Sequence, residues 1–156
     1  MKYYKVVNPE GHNGLIYKEG LNTDPIPFNP SGSCSPGGIY FTDAEHIFEF
    51  YDYGTDVYEV EPVGDVYTDP AGNKWKAPAV KLTYIGETFD IEIIKYLVEQ
   101  GADIHAGHDC ALRLASHKRR LEIVQYLVEN GANIHAGNDD ALRWAAENGH
   151  IEIVKY

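Results

Sequence analysis

The chain has 156 residues, with 13 basic against 24 acidic side chains and a formal net charge of −11, a balance that repels the phosphates of nucleic acid and argues against it as a partner. There is no apolar run of roughly 18 residues or more, and the start, MKYYKVVNPEGHN, lacks a signal-peptide core, so neither a membrane span nor secretion is expected. Cys34 and Cys110 lie in opposite halves and need no bridge, which points to a reducing, cytoplasmic setting.

Residues 2–8, KYYKVVN, read as a strand rich in Tyr and Val. Gly11-His12-Asn13-Gly14 is a turn signal, and Leu15–Lys18 is read as a short second strand. Gly20–Gly38 holds four prolines and four glycines with little periodicity and is expected to be a long ordered loop. Ile39–Thr42 reads as a buried strand. Asp43 then reads as the N-cap of a helix over Ala44–Tyr53 that Gly54 stops. Val57–Val63 alternates Val57, Glu59 and Glu61 against Tyr58, Val60 and Pro62, the pattern of a strand with one acidic face. A turn at Asp69–Asn73 leads to a last strand over Lys76–Ile85. About five strands and one helix are thus expected before residue 86.

From Ile91 onward the chain repeats. Ile91–Arg120 and Leu121–His150 are consecutive blocks of 30 residues that match at 17 positions, and Ile151–Tyr156 begins a third. A fixed period of this length marks stacked repeats. Within a block, Ile91, Ile94, Leu97 and Val98 fall at helical spacing, as do Leu121, Val124, Leu127 and Val128. Gly101 and Gly131 follow, where a helix end favours a left-handed residue. After a short polar crossing, a second helix carries Ala111, Leu112 and Ala115, repeated as Ala141, Leu142 and Ala145. One such helix pair cannot bury its apolar face alone, so stacking must supply the core.

GADIHA at 101–106, GANIHA at 131–136 and AENGHIEIVKY at 146–156 resemble ankyrin repeats. The usual repeat is about 33 residues, and here the finger loop is shortened. Cys110-Ala111-Leu112-Arg113 and Asp140-Ala141-Leu142-Arg143 replace the family's Thr-Pro-Leu-His helix start. Shortened repeats of this kind look like those of the ankyrin families of giant, mimivirus-like DNA viruses. The first part of the chain is similar to a module of uncharacterised function attached to such proteins. The expected fold class is therefore α+β: a small mixed α/β-sheet domain over residues 1–86, then an all-α ankyrin-repeat solenoid over 87–156 (91–120, 121–150, partial 151–156), truncated in its third repeat. The first module is expected to cap the first repeat, with the strand ending near Ile85 covering the helix that follows it.

The resemblance implies a non-enzymatic, monomeric interaction protein whose partner is another protein, acting in the cytoplasm (the host's, if the chain is viral). His105, Arg113, His135, Arg143 and Trp144 are the candidate contact residues. No cofactor and no metal is expected. His105 and His135 occupy matching positions of packed repeats, too far apart to share one zinc ion, and are expected to brace the finger loops instead. His117-Lys118-Arg119-Arg120 reads as a solvated basic turn. Its Arg119 stands where the next copy has Gly149, so strain is expected there if the position is left-handed. The alternative is a small enzyme or ligand-binding domain at 1–85, built on Cys34 in the sequence SCSPGG with His12 or His46 as a Cys–His pair. Nucleotide-handling chemistry is disfavoured there, since the first arginine of the chain is Arg113.

Overall fold

The computed structural model describes residues 1–156. It is a mixed α/β arrangement. Seven strands come first: β1 (Tyr3–Val7), β2 (Gly20–Thr23), β3 (Ile39–Asp43), β4 (Asp56–Val63), β5 (Tyr67–Thr68), β6 (Trp75–Ala77) and β7 (Ala79–Glu87). They form one antiparallel sheet in the order β2-β7-β4-β1-β3-β6-β5. A 3-10 helix, Ile47–Tyr53, joins β3 to β4. The remaining elements are α1 (Ile91–Glu99), α2 (Ala106–His117), α3 (Leu121–Glu129), α4 (Ala136–Glu147) and α5 (Ile151–Lys155).

Several sequence expectations change. Seven strands replace the expected five. Gly20–Thr23, read as loop, is an edge strand paired with β7. Leu15–Lys18 is not a strand; Leu15 makes only an isolated bridge with His12. The single final strand is two, because β6 pairs with β3 and β5 whereas β7 pairs with β4 and β2, and Pro78 stands at the change of partners. The helix expected over Ala44–Tyr53 is a turn followed by the tighter 3-10 coil. Asp43 still begins it, accepting the His46 amide at 3.1 Å.

Strand alternation sorts the side chains into two cores. Val7, Ile39, Phe41, Tyr58, Val60, Val80 and Leu82 pack on one face, with Leu15, Tyr17 and Trp75 against them. Tyr4, Val6 and Val57 point to the other face. There they meet Ile47, Phe48 and Tyr51 of the 3-10 helix, and the same core continues through Leu97, Leu112, Ala115 and Leu127 to Ile153. The sheet and the helices therefore share one apolar interior.

The junction explains how the first repeat is covered. α2 packs against α4 on one side and against the 3-10 helix on the other. The 3-10 helix thus occupies the place that a preceding repeat's helix would take. Backbone bonding follows the same substitution. Asn133 N donates to the Asp109 carboxylate of the repeat before it at 2.7 Å, whereas the equivalent Asp103 N donates to Glu45 O at 3.1 Å. Strand β7 touches α1, as expected of the strand ending near Ile85, but does so through Gly86. A Cβ there would lie 2.4 Å from Ile93 Cγ1. The Tyr96 hydroxyl of α1 bonds Glu59 of β4 and is the main reason that carboxyl is held below its usual range.

The shortened finger has a specific geometry. Gly107, His108 and Asp109 have φ of 62, 58 and 55°, and Gly137, Asn138 and Asp139 have φ of 64, 58 and 60°. Each finger is a left-handed turn of three residues, and the right-handed helix begins after it. Side chains rarely accept this region. Besides Gly, it is His, Asn and Asp that enter it most readily, and these are the residues the sequence supplies. Arg119 is less well suited. It has φ 58, against φ 69 for Gly149 in the next copy. Its only ion pair, with Glu152 at 3.6 Å, is exposed and adds little. Arg119→Gly should therefore raise stability by about 0.5–1 kcal/mol. A urea melt showing lower stability would contradict this account of the turn.

Candidate interaction surface and sheet cleft

The repeat residues singled out by sequence lie along the finger turns and the helices that follow them. His105 Nδ1 contacts Asp109 Oδ1 at 3.1 Å and His135 Nδ1 contacts Asp139 Oδ1 at 2.6 Å. Each imidazole thus spans its own left-handed turn. Asp109 does more than close its turn, because the same oxygen accepts Asn133 N and links one repeat to the next.

Arg113 and Trp144 form a joint between repeats. Arg113 Nε donates to His108 O at 3.0 Å and Nη2 to Gly107 O at 3.0 Å, so its guanidinium closes the first finger from the helix side. Nη1 reaches Asp140 of the next repeat at 3.1 Å, and Arg143 joins the same carboxylate at 3.2 Å. The Arg113 guanidinium carbon lies 5.5 Å from the Trp144 ring centroid, and His117 meets the same indole edge-on at 5.8 Å. Asp140, which the sequence reading passed over, is the residue that ties the two arginines. Its signal was its place four residues after Ala136, where the first copy has Cys110. In the basic segment, His150 Nε2 lies 2.9 Å from His117 O, bridging consecutive turns. His117, Lys118, Arg119 and Arg120 are exposed.

The sheet carries a second candidate. β1 and β3 pair only at Tyr3–Asp43 and Tyr4–Thr42. Beyond these residues the strands part, leaving a cleft of about 470 Å³ whose lining includes Lys5, His12, Tyr17, Cys34, Tyr40 and Lys74. The Cys34 loop is fixed from within by Lys76, which is fully buried. Its ammonium donates to Ser31 O at 3.2 Å and Ser35 Oγ at 2.8 Å and faces the rings of Tyr40 and Tyr67.

Cys34 is exposed and left-handed, with φ 52. The sequence reading paired it with His12 or His46. His12 does line the same cleft, but His46 is bound to Asp43 at 2.8 Å. The group that reaches the thiol is one the sequence did not suggest. Lys74 Nζ donates to Cys34 Sγ at 3.0 Å and lies 3.8 Å from Asp69 Oδ2. That bond is the main cause holding the thiol below its ordinary pKa. Cys110 is buried, and desolvation pushes its thiol up to about 11. Iodoacetamide at neutral pH should therefore label Cys34 and leave Cys110 unlabelled in the folded chain, because only the thiolate attacks. Equal labelling in a peptide map would contradict both placements. The cluster Asp43, Glu45 and His46 also brings three metal-type donors within 4.8 Å, but Asp43 is occupied there in starting the turn.

The family model for ankyrin repeats in three copies matches residues 82–156. A protein of Acanthamoeba polyphaga mimivirus named a "putative ankyrin repeat protein" is 39% identical over 116 residues, which is 69% of this chain and 38% of that protein. A second mimivirus protein with the same description is 32% identical over 122 residues, 73% of this chain and 60% of that protein. An uncharacterised mimivirus protein is 32% identical over 120 residues, 72% of this chain and 87% of that relative. The chain thus spans less than two thirds of the first two relatives' lengths. No solved structure matches. No helix is long and apolar enough to cross a membrane. The repeated finger-and-helix geometry, the matched family model and these relatives together place the chain in the ankyrin-repeat family.

Proposed function

We propose that the chain is a non-enzymatic interaction module in which residues 87–156 recognise a partner protein and residues 1–86 form an N-terminal module that caps them. In this reading the repeats (91–120, 121–150 and the partial 151–156) form a short solenoid, and its finger turns and adjoining helix face make the contact. The protein acts as a monomer in the cytoplasm. The observation that carries the proposal is how the repeats use their surface. Most apolar positions of the first repeat go to the shared core, while the side chains of His105, His135 and Arg143 stay 58%, 75% and 55% exposed. Trp144 is half-buried beside them, an arrangement suited to an aromatic anchor rimmed by charge. The cleft and the reactive Cys34 support a second role for the sheet module.

The test is a pull-down with the full chain against its His135→Ala/Arg143→Ala double variant, both checked for equal melting. Both side chains are exposed, so the fold should tolerate their loss. Partner capture that falls at least about ten-fold supports the surface, and undiminished capture by a folded double variant overturns it. Arg113→Ala belongs in a separate arm, since it also removes the joint to Asp140.

A further inference from the structure

The cleft between β1 and β3 has features that neither the repeats nor the cap require. Lys5 projects across it from the middle of an otherwise apolar strand. Its ammonium donates to Tyr40 O at 2.8 Å and lies 4.7 Å from the Tyr17 ring centroid. Lys2, Lys74 and Lys81 of the sheet each have a carboxylate partner, and Lys76 has its serine oxygens. Lys5 has one acceptor for three N–H groups. Desolvation pushes its pKa down to about 8, the response of a half-buried ammonium without a counter-charge.

The acid of the cleft is not that counter-charge. Asp24 also lines it, but it makes no ion pair with Lys5, and its two oxygens accept Ile26 N at 2.8 Å and Gly38 N at 2.8 Å. Lys74, the other cation of the lining, already has Asp69 at 3.8 Å and the Cys34 sulfur at 3.0 Å, so Lys5 is the lining ammonium without a carboxylate partner, in a chain with 24 acidic and 13 basic side chains. Its walls include Leu15, Tyr17, Ile26, Phe50 and Tyr53, and its volume of about 470 Å³ lies within the roughly 300–1,000 Å³ of small-molecule sites.

We propose that this cleft binds a small molecule with a flat aromatic body and one anionic group, the anion received by Lys5 Nζ and the body by the aromatic walls. A carboxylate and a phosphate share the required chemistry. The site is independent of the repeat surface, so either proposal can fail without the other.

The test uses the full chain and calorimetric titration with two anions and their neutral counterparts: indole-3-acetate beside indole-3-acetamide, and adenosine monophosphate beside adenosine. At least one anion should bind at about millimolar concentration or below and about ten-fold more tightly than its neutral counterpart. Which of the two does so separates carboxylate from phosphate. The same anion should slow alkylation of Cys34 by iodoacetamide, a neutral reagent, because Cys34 lines the cleft. Lys5→Met should abolish the preference for the anion. Neither anion binding at about millimolar concentration, neutral counterparts binding equally well, or unchanged protection of Cys34 in folded Lys5→Met would each overturn the proposal. If Lys5→Met does not fold, the comparison of anion with neutral counterpart on the wild-type chain decides the matter alone.

Discussion

Leu112→Ala should destabilise the protein by about 2–5 kcal/mol, while Leu142→Ala, the same change at the same repeat position, should stay within about 0.5 kcal/mol. Leu112 is 1% exposed and Leu142 is 50% exposed. The difference comes from what lies on either side. α2 is held between the 3-10 helix and α4, whereas α4 packs on α2 and α5 and leaves Leu142 half exposed. Truncating Leu112 removes apolar contacts and leaves a cavity that flanking elements of different kinds cannot both collapse to fill. Truncating Leu142 removes atoms that are already half in water. Val124 and Val154 repeat the contrast, at 4% and 40% exposed. Urea unfolding followed by circular dichroism would measure both variants. Equal losses at the two leucines would contradict this difference in burial.

Gly54→Ala should be at least as damaging, on the order of 3 kcal/mol or more, seen as lost soluble yield or a collapsed melting transition. Gly54 has φ −179 and ψ −170, extended backbone that any residue adopts, so the obstacle is space. An added Cβ would lie 2.1 Å from Val7 O, 2.2 Å from Val7 C and 2.4 Å from Asn8 N. These are backbone atoms at the end of β1 and cannot rotate away as a side chain would. Relief requires the segment after the 3-10 helix to part from β1. That breaks Thr55 N to Val7 O and strains Thr88 N to Thr55 O, the bond leading into the first repeat. The damage would reach both the sheet and the junction with the first repeat. A melting temperature within about 2 °C of the wild type would rule out this close approach.

The repeats were legible because their signals are local and occur twice. Helical spacing at Ile94 and Leu97, the glycines at 101 and 131, and the paired finger sequences each stand within one block. Arg119 was legible too, since its neighbour copy supplied the comparison. The sheet was harder to read. Gly20–Thr23 has no apolar alternation, and its strand identity comes from pairing with residues Ala79–Leu82, far along the chain. The 3-10 coil of Ile47–Tyr53 follows from wedging that segment between the sheet and α2, where tertiary fit overrides local preference. The cleft was least visible. Its thiol partner, Lys74, is 40 residues from Cys34, and no spacing rule connects them. Lys5 did carry a faint signal, since strand alternation puts it with Tyr3 and Val7, on a face where a lysine is out of place.

The shared core joins two halves with different folding habits. Contacts among the helices recur about once per 30-residue block, whereas the sheet pairs Gly20 with Leu82, 62 positions apart (82 − 20). Short-range contacts form quickly and long-range strand pairing slowly. Left to refold from denaturant, the helical half would gather first and wait with α2 uncovered for its 3-10 neighbour. Synthesis reverses that order. Every strand precedes α1 in the chain, and domains fold largely as they emerge at about 5–20 residues per second. The slower half begins first, and each new repeat then finds a finished surface to land on.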